Sequence, residues 1–448
     1  MRLLIEGVSI DGSVVDIRTD GGSIVAVEPS SSSRSRSGED SGSSSGSGDA
    51  EDAEGAWRAD RVIDGAGLHA FPSLKNGHTH AAMTLFRGWG DDLPLMEWLE
   101  THIWPAERHM APEDVYHGTR LALVEMIRSG TTYFNDMYWH ADRVARAVDE
   151  LGLKAHLGSV FVDHGSKEVG SRWRDAVLRQ LDTLDDLPSR IRVAIAPHAI
   201  YTVSPDNLEW LGGLARERDL LLHTHLSETR TEVEQCVDRH GVRPAHLLDR
   251  VGLVGPNLIA AHGVYLNAEE MGVLGDAGAT VVTNPTANLK LAVGGIFDYD
   301  AARAAGVRVV LGTDGPGSNN NLDLLEEMKI AALVQKHRAL DATSLPAHEA
   351  LALATTNASE AFRMGRGTLE PGEPADLILV DLGGASTQPA HDPVSDLVYS
   401  ANGSAVHTTI CDGRVLMHDR VVEVADEAEI IAAAVKSARG LVARVNGA

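Results

Sequence analysis

Asn76-Gly77-His78-Thr79-His80 closes an extended run, Leu68-His69-Ala70-Phe71-Pro72-Ser73-Leu74-Lys75. Side chains two apart on a β-strand leave from the same face, so His78 and His80 are expected to point together. Two imidazoles converging at a strand's end make half of a site for a divalent metal. A bare His-x-His is more often two ordinary histidines, so its meaning depends on what the rest of the chain brings to the same place.

Working outward from that pair, strand-like and helix-like segments alternate. The expected strands are 131–137, 154–162, 192–197, 220–225, 258–262, 280–283 and 307–313, and the one before His78 makes eight. A helix at 112–129 ends at Gly130, and a polar-aromatic loop with helical pieces, 83–109, precedes it. Helices at 321–340 and an Ala-rich pair at 348–364 complete the set. Eight βα units imply an α/β fold closed into a (β/α)8 TIM-like barrel, with its site at the C-terminal ends of the strands. Residues 1–29 alternate apolar and polar, with turns at Asp11-Gly12 and Asp20-Gly21-Gly22, and read as an antiparallel meander. Segments 372–380 and 406–422 return to strand character, and their expected partner is that meander, in a composite β-sandwich. The organisation is then 1–70 for the first part of the sandwich, 71–370 for the barrel, and 371–448 for the second part of the sandwich with a terminal helix. A Ser/Gly/acidic stretch at about 30–55 cannot bury enough apolar surface to offset ordering entropy, so it is expected to be a disordered insertion.

A chain of 448 residues can bury a large core, and its formal net charge of −25 disfavours nucleic acid and anionic membranes as partners. The sequence shows neither a basic-then-apolar leader nor an apolar run of membrane-spanning length, so a soluble, cytoplasmic protein is expected. Cys236 and Cys411 have no metal or redox spacing and read as buried fillers. Abundant Asp and Glu, with Arg far outnumbering Lys, suggest a halophilic protein whose self-repulsion is screened by concentrated salt.

Further strand ends carry ligand-grade residues: His223-Thr224-His225-Leu226-Ser227-Glu228, Ala261-His262-Gly263 and Gly312-Thr313-Asp314-Gly315. A catalytic metal wants nitrogen and oxygen ligands with one position open to water, and His78, His80, His225 and Asp314 can supply that. Such a metal lowers the pKa of its water, while something else must move protons. Glu228, three residues past a ligand, is assigned the proton shuttle. Asp314 can also accept the water's proton, and His262 can orient the oxygen or the charge that develops on it. Singly, His262 or His223 reads as a hydrogen-bonded core histidine and Asp314 as a turn cap; at successive strand ends of one barrel, the shared reading is the metal site.

His78-Thr79-His80, His225-Leu226-Ser227-Glu228-Thr229, Ala261-His262-Gly263 and Gly312-Thr313-Asp314 resemble the signature of the amidohydrolase superfamily, in its mononuclear aminohydrolase and chlorohydrolase subgroup. The resemblance implies a metal-bearing barrel beside a composite β-sandwich and one divalent metal, zinc first, with iron or manganese as alternatives. It also implies that His262 contacts the water rather than the metal. The runs 81–99 and Ile103-Trp104-Pro105-Ala106-Glu107 are similar to those of the 5′-methylthioadenosine/S-adenosylhomocysteine deaminases. That likeness implies a ribose-diol contact at Glu107, a purine contact at His198 and a substrate contact at Trp104. It implies a small-molecule partner, a nucleoside or heterocyclic base, and a homo-oligomer, since such relatives often associate. Ser73, Lys75, Gly77 and Ala287 depart from the family's usual residues, as does Phe297-Asp298-Tyr299, and Arg172 and Arg174 are candidates for holding an amino-acid carboxylate. The expected activity is hydrolytic deamination of an adenosine derivative. Deamination of guanine or cytosine, or displacement of chloride from a triazine, would use the same ligands. A silent barrel serving as a binding module would be expected to lose them.

Overall fold

The computed structural model describes residues 1–30, 57–184 and 187–447, so the Ser/Gly-rich stretch lies, apart from Ser30, outside the described residues. The first five strands are β1 (Leu3–Ile10), β2 (Ser13–Asp20), β3 (Ser23–Pro29), β4 (Arg61–Asp64) and β5 (Leu68–Pro72). The next eight run β6 (Leu74–Thr79), β7 (Thr131–Asp136), β8 (Lys154–Phe161), β9 (Ile191–Pro197), β10 (Leu221–Leu226), β11 (Leu258–His262), β12 (Thr280–Thr283) and β13 (Arg308–Leu311). The last four are β14 (Leu377–Asp381), β15 (Val406–Cys411), β16 (Arg414–His418) and β17 (Val421–Val422).

β6 to β13 form one eight-stranded sheet in sequence order, each pair parallel. Its first and last strands meet: Asp314 N–H donates to His78 C=O at 3.0 Å, and Asn76 takes the Thr313 N–H at 3.1 Å while donating to Thr313 Oγ1 at 2.7 Å. Seven intervening crossovers, mostly helical, cover the outside, as parallel strands require. Inside, Tyr133, Ala194, Leu221, Ile259, Val282 and Val310 pack on Phe362, which follows the helix Thr356–Ala361. That plug fills the barrel at the N-terminal side and leaves the C-terminal end for chemistry.

The remaining strands make a nine-stranded mixed sheet in the order β17-β16-β15-β14-β5-β1-β2-β3, with β4 against β1. The N-terminal meander and the C-terminal strands therefore do share one sheet, joined where β5 runs antiparallel to β14. Ile17, Ile24, Leu377, Ile410 and Val415 belong to one core, so the sheet curls round until Ile24 N–H reaches Glu373 C=O at 2.9 Å.

One expectation is corrected. The run 68–75 reads as a single strand leading to the histidines, but the chain changes sheets at Ser73. Ser73 N–H bonds Asp376 C=O at 3.1 Å and its hydroxyl meets Thr132 Oγ1 at 2.6 Å, while the next amide, Leu74 N–H, turns to Gly130 C=O at 2.9 Å. Alternation alone cannot mark such a transfer, because both halves are extended and buried. Gly77 is explained by the closed barrel: a Cβ there would stand 2.6 Å from Val310 Cγ1 and 2.9 Å from Val282 Cγ1. Among the described residues, no helix is long and apolar enough to cross a membrane.

Candidate active site

His78 lies on β6, and His80 sits one residue past its end, yet the two rings still meet edge to face with centroids 4.9 Å apart. The backbone beyond His80 turns at once into a tight helical segment, Ala81–Phe86, whose first N–H is held by Asp136 Oδ1 at 2.8 Å. Across the barrel mouth the His225 and His262 rings lie 5.0 and 5.4 Å from that of His78. Asp314 Oδ1 is 3.3 Å from both His78 Nε2 and His80 Nε2. The ligand-capable atoms of His78, His80 and Asp314 lie within 4.8 Å of one another, as do those of His78, His225 and His262.

The hydrogen bonds of the outer ring atoms decide which nitrogens are left to bind. His80 Nδ1 donates to Met137 C=O at 2.7 Å, and His225 Nδ1 donates to His198 C=O at 2.8 Å. In a neutral imidazole the other nitrogen then carries a lone pair. The two Nε2 atoms face each other at 3.4 Å, and Asp314 Oδ1 lies 3.3 Å from that of His80. His78 Nδ1 is paired with His223 Nε2 at 2.8 Å, which leaves His78 Nε2 buried without a hydrogen-bond partner. A cation satisfies all three atoms together, so the donor set fits a divalent metal, with the outer bonds fixing each ring.

Electrostatics agree with this reading. Burial lowers His78 to about 4 and holds His225 and His223 well below the ordinary range, so these imidazoles are neutral at working pH. His80 is the exception: burial works to lower it, but Asp314 outweighs burial and raises it to about 9. Burial pushes Asp314 upward, but the His78 and His80 imidazoles beside it outweigh that push and hold its carboxyl well below the usual carboxylate range. Ser318 Oγ steadies its other oxygen at 2.8 Å.

Glu228 is buried beside the cluster, its Oε1 3.9 Å from His262 Nδ1. Burial raises its pKa and Asp314 raises it further, against an opposing effect of His262. A carboxyl group kept ready to hold a proton suits a shuttle. His262 Nδ1 is paired with Asn288 Oδ1 at 2.9 Å, leaving its other nitrogen toward the metal cluster. The residues at three of these strand ends, Ser227, His262 and Asp314, have φ of 51°, 75° and 59°, in the left-handed region that side chains disfavour. Such strain is held where the surroundings over-determine it.

A cavity of about 540 Å³ opens from this cluster and is lined by His80, His225, Glu228, His262 and Asp314 as well as Trp104, Glu107 and His198. Burial raises the Glu107 pKa, although the nearby Tyr138, His80 and Trp139 oppose the rise. His198 Nδ1 meets Thr202 Oγ1 at 3.0 Å, and burial first, with His80 and other histidines, lowers it to about 3. The residues expected to bind metal, move protons or contact substrate thus gather at one mouth. Arg172 and Arg174 do not: neither lines the cavity, and Arg174 Nε bonds Asn207 Oδ1 at 2.7 Å with its guanidinium 4.9 Å over the Trp210 ring. Sequence reasoning read His223 singly as a core histidine and assigned no role to Ser318, Asn288, Tyr138 or Trp139. The spacing of His223 and His225 was a usable signal, but Tyr138 and Trp139 follow a strand with no motif to mark them.

A barrel of this kind, with a histidine–aspartate cluster able to hold a metal at its mouth and flanked by a composite sheet, is that of the amidohydrolase class. Residues 70–416 match the Amidohydrolase family, and the chain belongs to it. It is 51% identical over 389 residues to the 5′-deoxyadenosine deaminase of Methanoregula boonei, covering 86% of this chain and 87% of that one. It is 44% identical to the 5-methylthioadenosine/S-adenosylhomocysteine deaminase of Dictyoglomus thermophilum, covering 99% of each. Among solved structures, an adenosine deaminase from Xanthomonas campestris with bound zinc matches at a TM-score of 0.88 and 36% identity, covering 100% of this chain and 99% of that one.

Neither buried lysine lies in this cluster. Lys75 Nζ bonds Ser73 C=O at 3.2 Å and Lys154 Nζ bonds Asp376 Oδ2 at 2.6 Å, both at the opposite end of the barrel.

Proposed function

We propose that the chain is a hydrolytic deaminase of 5′-modified adenosines, the compounds that name its relatives being the first candidates. The observation that carries the reading is the convergence of His80 and His225 Nε2 at 3.4 Å, with Asp314 Oδ1 3.3 Å from His78 and His80 Nε2, beside a cavity that holds both Glu228 and Glu107. His78, His80, His225 and Asp314 would hold one divalent metal, zinc by analogy with the solved relative, and that metal supplies a lowered pKa to a water bound there. Asp314 would accept a proton at the metal side, and Glu228 delivers a proton to the purine ring nitrogen beside the amino-bearing carbon. His262 points its free nitrogen at the attacking oxygen and steadies the charge that grows on it. Glu107 accepts the two ribose hydroxyls, His198 contacts the purine, and Trp104 adds an apolar wall. The surface charge accords with a cytoplasmic, halophilic protein, and association into a homo-oligomer is proposed with it.

Ammonia release from adenosine, its 5′-deoxy and 5′-methylthio forms, S-adenosylhomocysteine, guanine and cytosine tests the reading. Activity on the nucleosides and none on the free bases is expected. Glu228→Gln should lower turnover by at least about 1,000-fold with metal content unchanged, in line with the loss of a general acid. Substantial retained activity in that variant would refute the shuttle assignment.

A further inference from the structure

We propose that Trp173 and Trp139 build a subsite that selects adenosines carrying a neutral, apolar 5′ substituent over those carrying a charged amino-acid tail. The proposal rests on the deaminase reading above and on Glu107 as the ribose contact. Trp139 and Glu107 line the same cavity, so the Trp139 ring borders the space a nucleoside would fill. The Trp139 and Trp173 rings lie 5.6 Å apart with 37° between their planes, an offset arrangement that fixes both. Trp173 and Val169 are one turn apart on the helix Lys167–Leu184, and both line the cavity together with Val160 and Val162 from β8 and the residues that follow it. This part of the cavity wall is therefore aromatic and aliphatic.

Charge is what this wall lacks. Beyond the histidines of the metal cluster and His198, the basic groups lining the cavity among the described residues are Arg108 and His164, and both are exposed. Arg108 Nε is already given to Trp104 C=O at 3.2 Å. Arg172 is exposed and outside the lining, and Arg174 is engaged with Asn207 and Trp210. A zwitterionic tail placed here would lose its hydration against indole and valine with no buried partner for its carboxylate, whereas a methylthio group or a bare methyl would gain from the same surface.

Ammonia release by the full, metal-loaded chain tests this with four substrates: 5′-deoxyadenosine, 5′-methylthioadenosine, adenosine and S-adenosylhomocysteine. The first two should exceed S-adenosylhomocysteine in kcat/KM by about 100-fold, the scale on which a site rejects a group it cannot pair. Trp173→Ala should lower kcat/KM for 5′-methylthioadenosine about 10-fold more than for adenosine, with metal content retained. Val169→Arg should raise S-adenosylhomocysteine relative to 5′-methylthioadenosine by a similar factor. S-adenosylhomocysteine within threefold of 5′-methylthioadenosine in the unaltered chain, or a Trp173→Ala ratio that does not move, overturns the subsite. No ammonia from any of the four overturns the deaminase reading itself and the subsite with it.

Discussion

Glu232 shows how a single residue outside the reacting set can aim one inside it. Its two carboxylate oxygens take the Ser227 and Glu228 N–H groups, each at 2.8 Å, so the strained turn before the shuttle is clamped from behind. Burial raises its pKa to about 7, those two N–H donors opposing the rise, and among the described residues no cation is paired with it. The spacing Thr229-x-x-Glu232 has the form of a capping box, and Thr229 Oγ1 does accept the Glu232 N–H at 3.1 Å. The glutamate, however, reaches past the cap to the catalytic turn, which no local pattern announces. Glu232→Gln replaces one acceptor by a donor facing an N–H. It should lower kcat by about 10- to 100-fold while leaving KM and metal content unchanged, the cost of a misaimed group. A proportional loss of bound metal, or an unchanged kcat, would count against this role. The candidate ligands were legible because each lies in a short motif at a strand end. Their orientation was not, since it depends on partners such as Met137 C=O and His198 C=O that belong to other segments.

At the scale of elements, β6 carries the cost and the purpose of the barrel's first strand together. Its Lys75 is buried, with Ser73 C=O as its hydrogen-bond acceptor. Burial lowers it from 10.5 to about 8, against the pull of Asp376. The folded state therefore gives up this proton before the unfolded chain does, and the burial penalty is fully present below about pH 8 and relieved as pH rises toward 10.5. Lys75→Met should raise stability at pH 7 by about 1–3 kcal/mol, with the advantage shrinking by pH 10. A lower melting temperature at pH 7, or a gap that widens with pH, would contradict that. The eight barrel strands could be placed from sequence because parallel strands between helices read as continuous apolar runs. The transfer between sheets at Ser73 could not, because it is set by Asp376 and Gly130, far along the chain.

On the scale of the whole molecule, the two sheets have separate roles. One curls round its own core, and the other closes round Phe362 and opens its far end to substrate. That the termini would meet in one sheet was readable from their matching strand character, but the antiparallel join of β5 to β14 needs the third dimension. The net charge of −25 spread over the shell should make stability depend on salt. Melting temperature should rise from low to multimolar KCl, and a flat response would remove the halophilic reading. The central claim is that side chains from distant strand ends hold one metal on which turnover depends. Its most direct measurement is the metal content of the purified chain together with ammonia release from 5′-deoxyadenosine before and after chelation. About one equivalent of zinc or another divalent metal per chain, activity lost on its removal and restored on its return, is the predicted result. Full activity in a metal-free chain would contradict it.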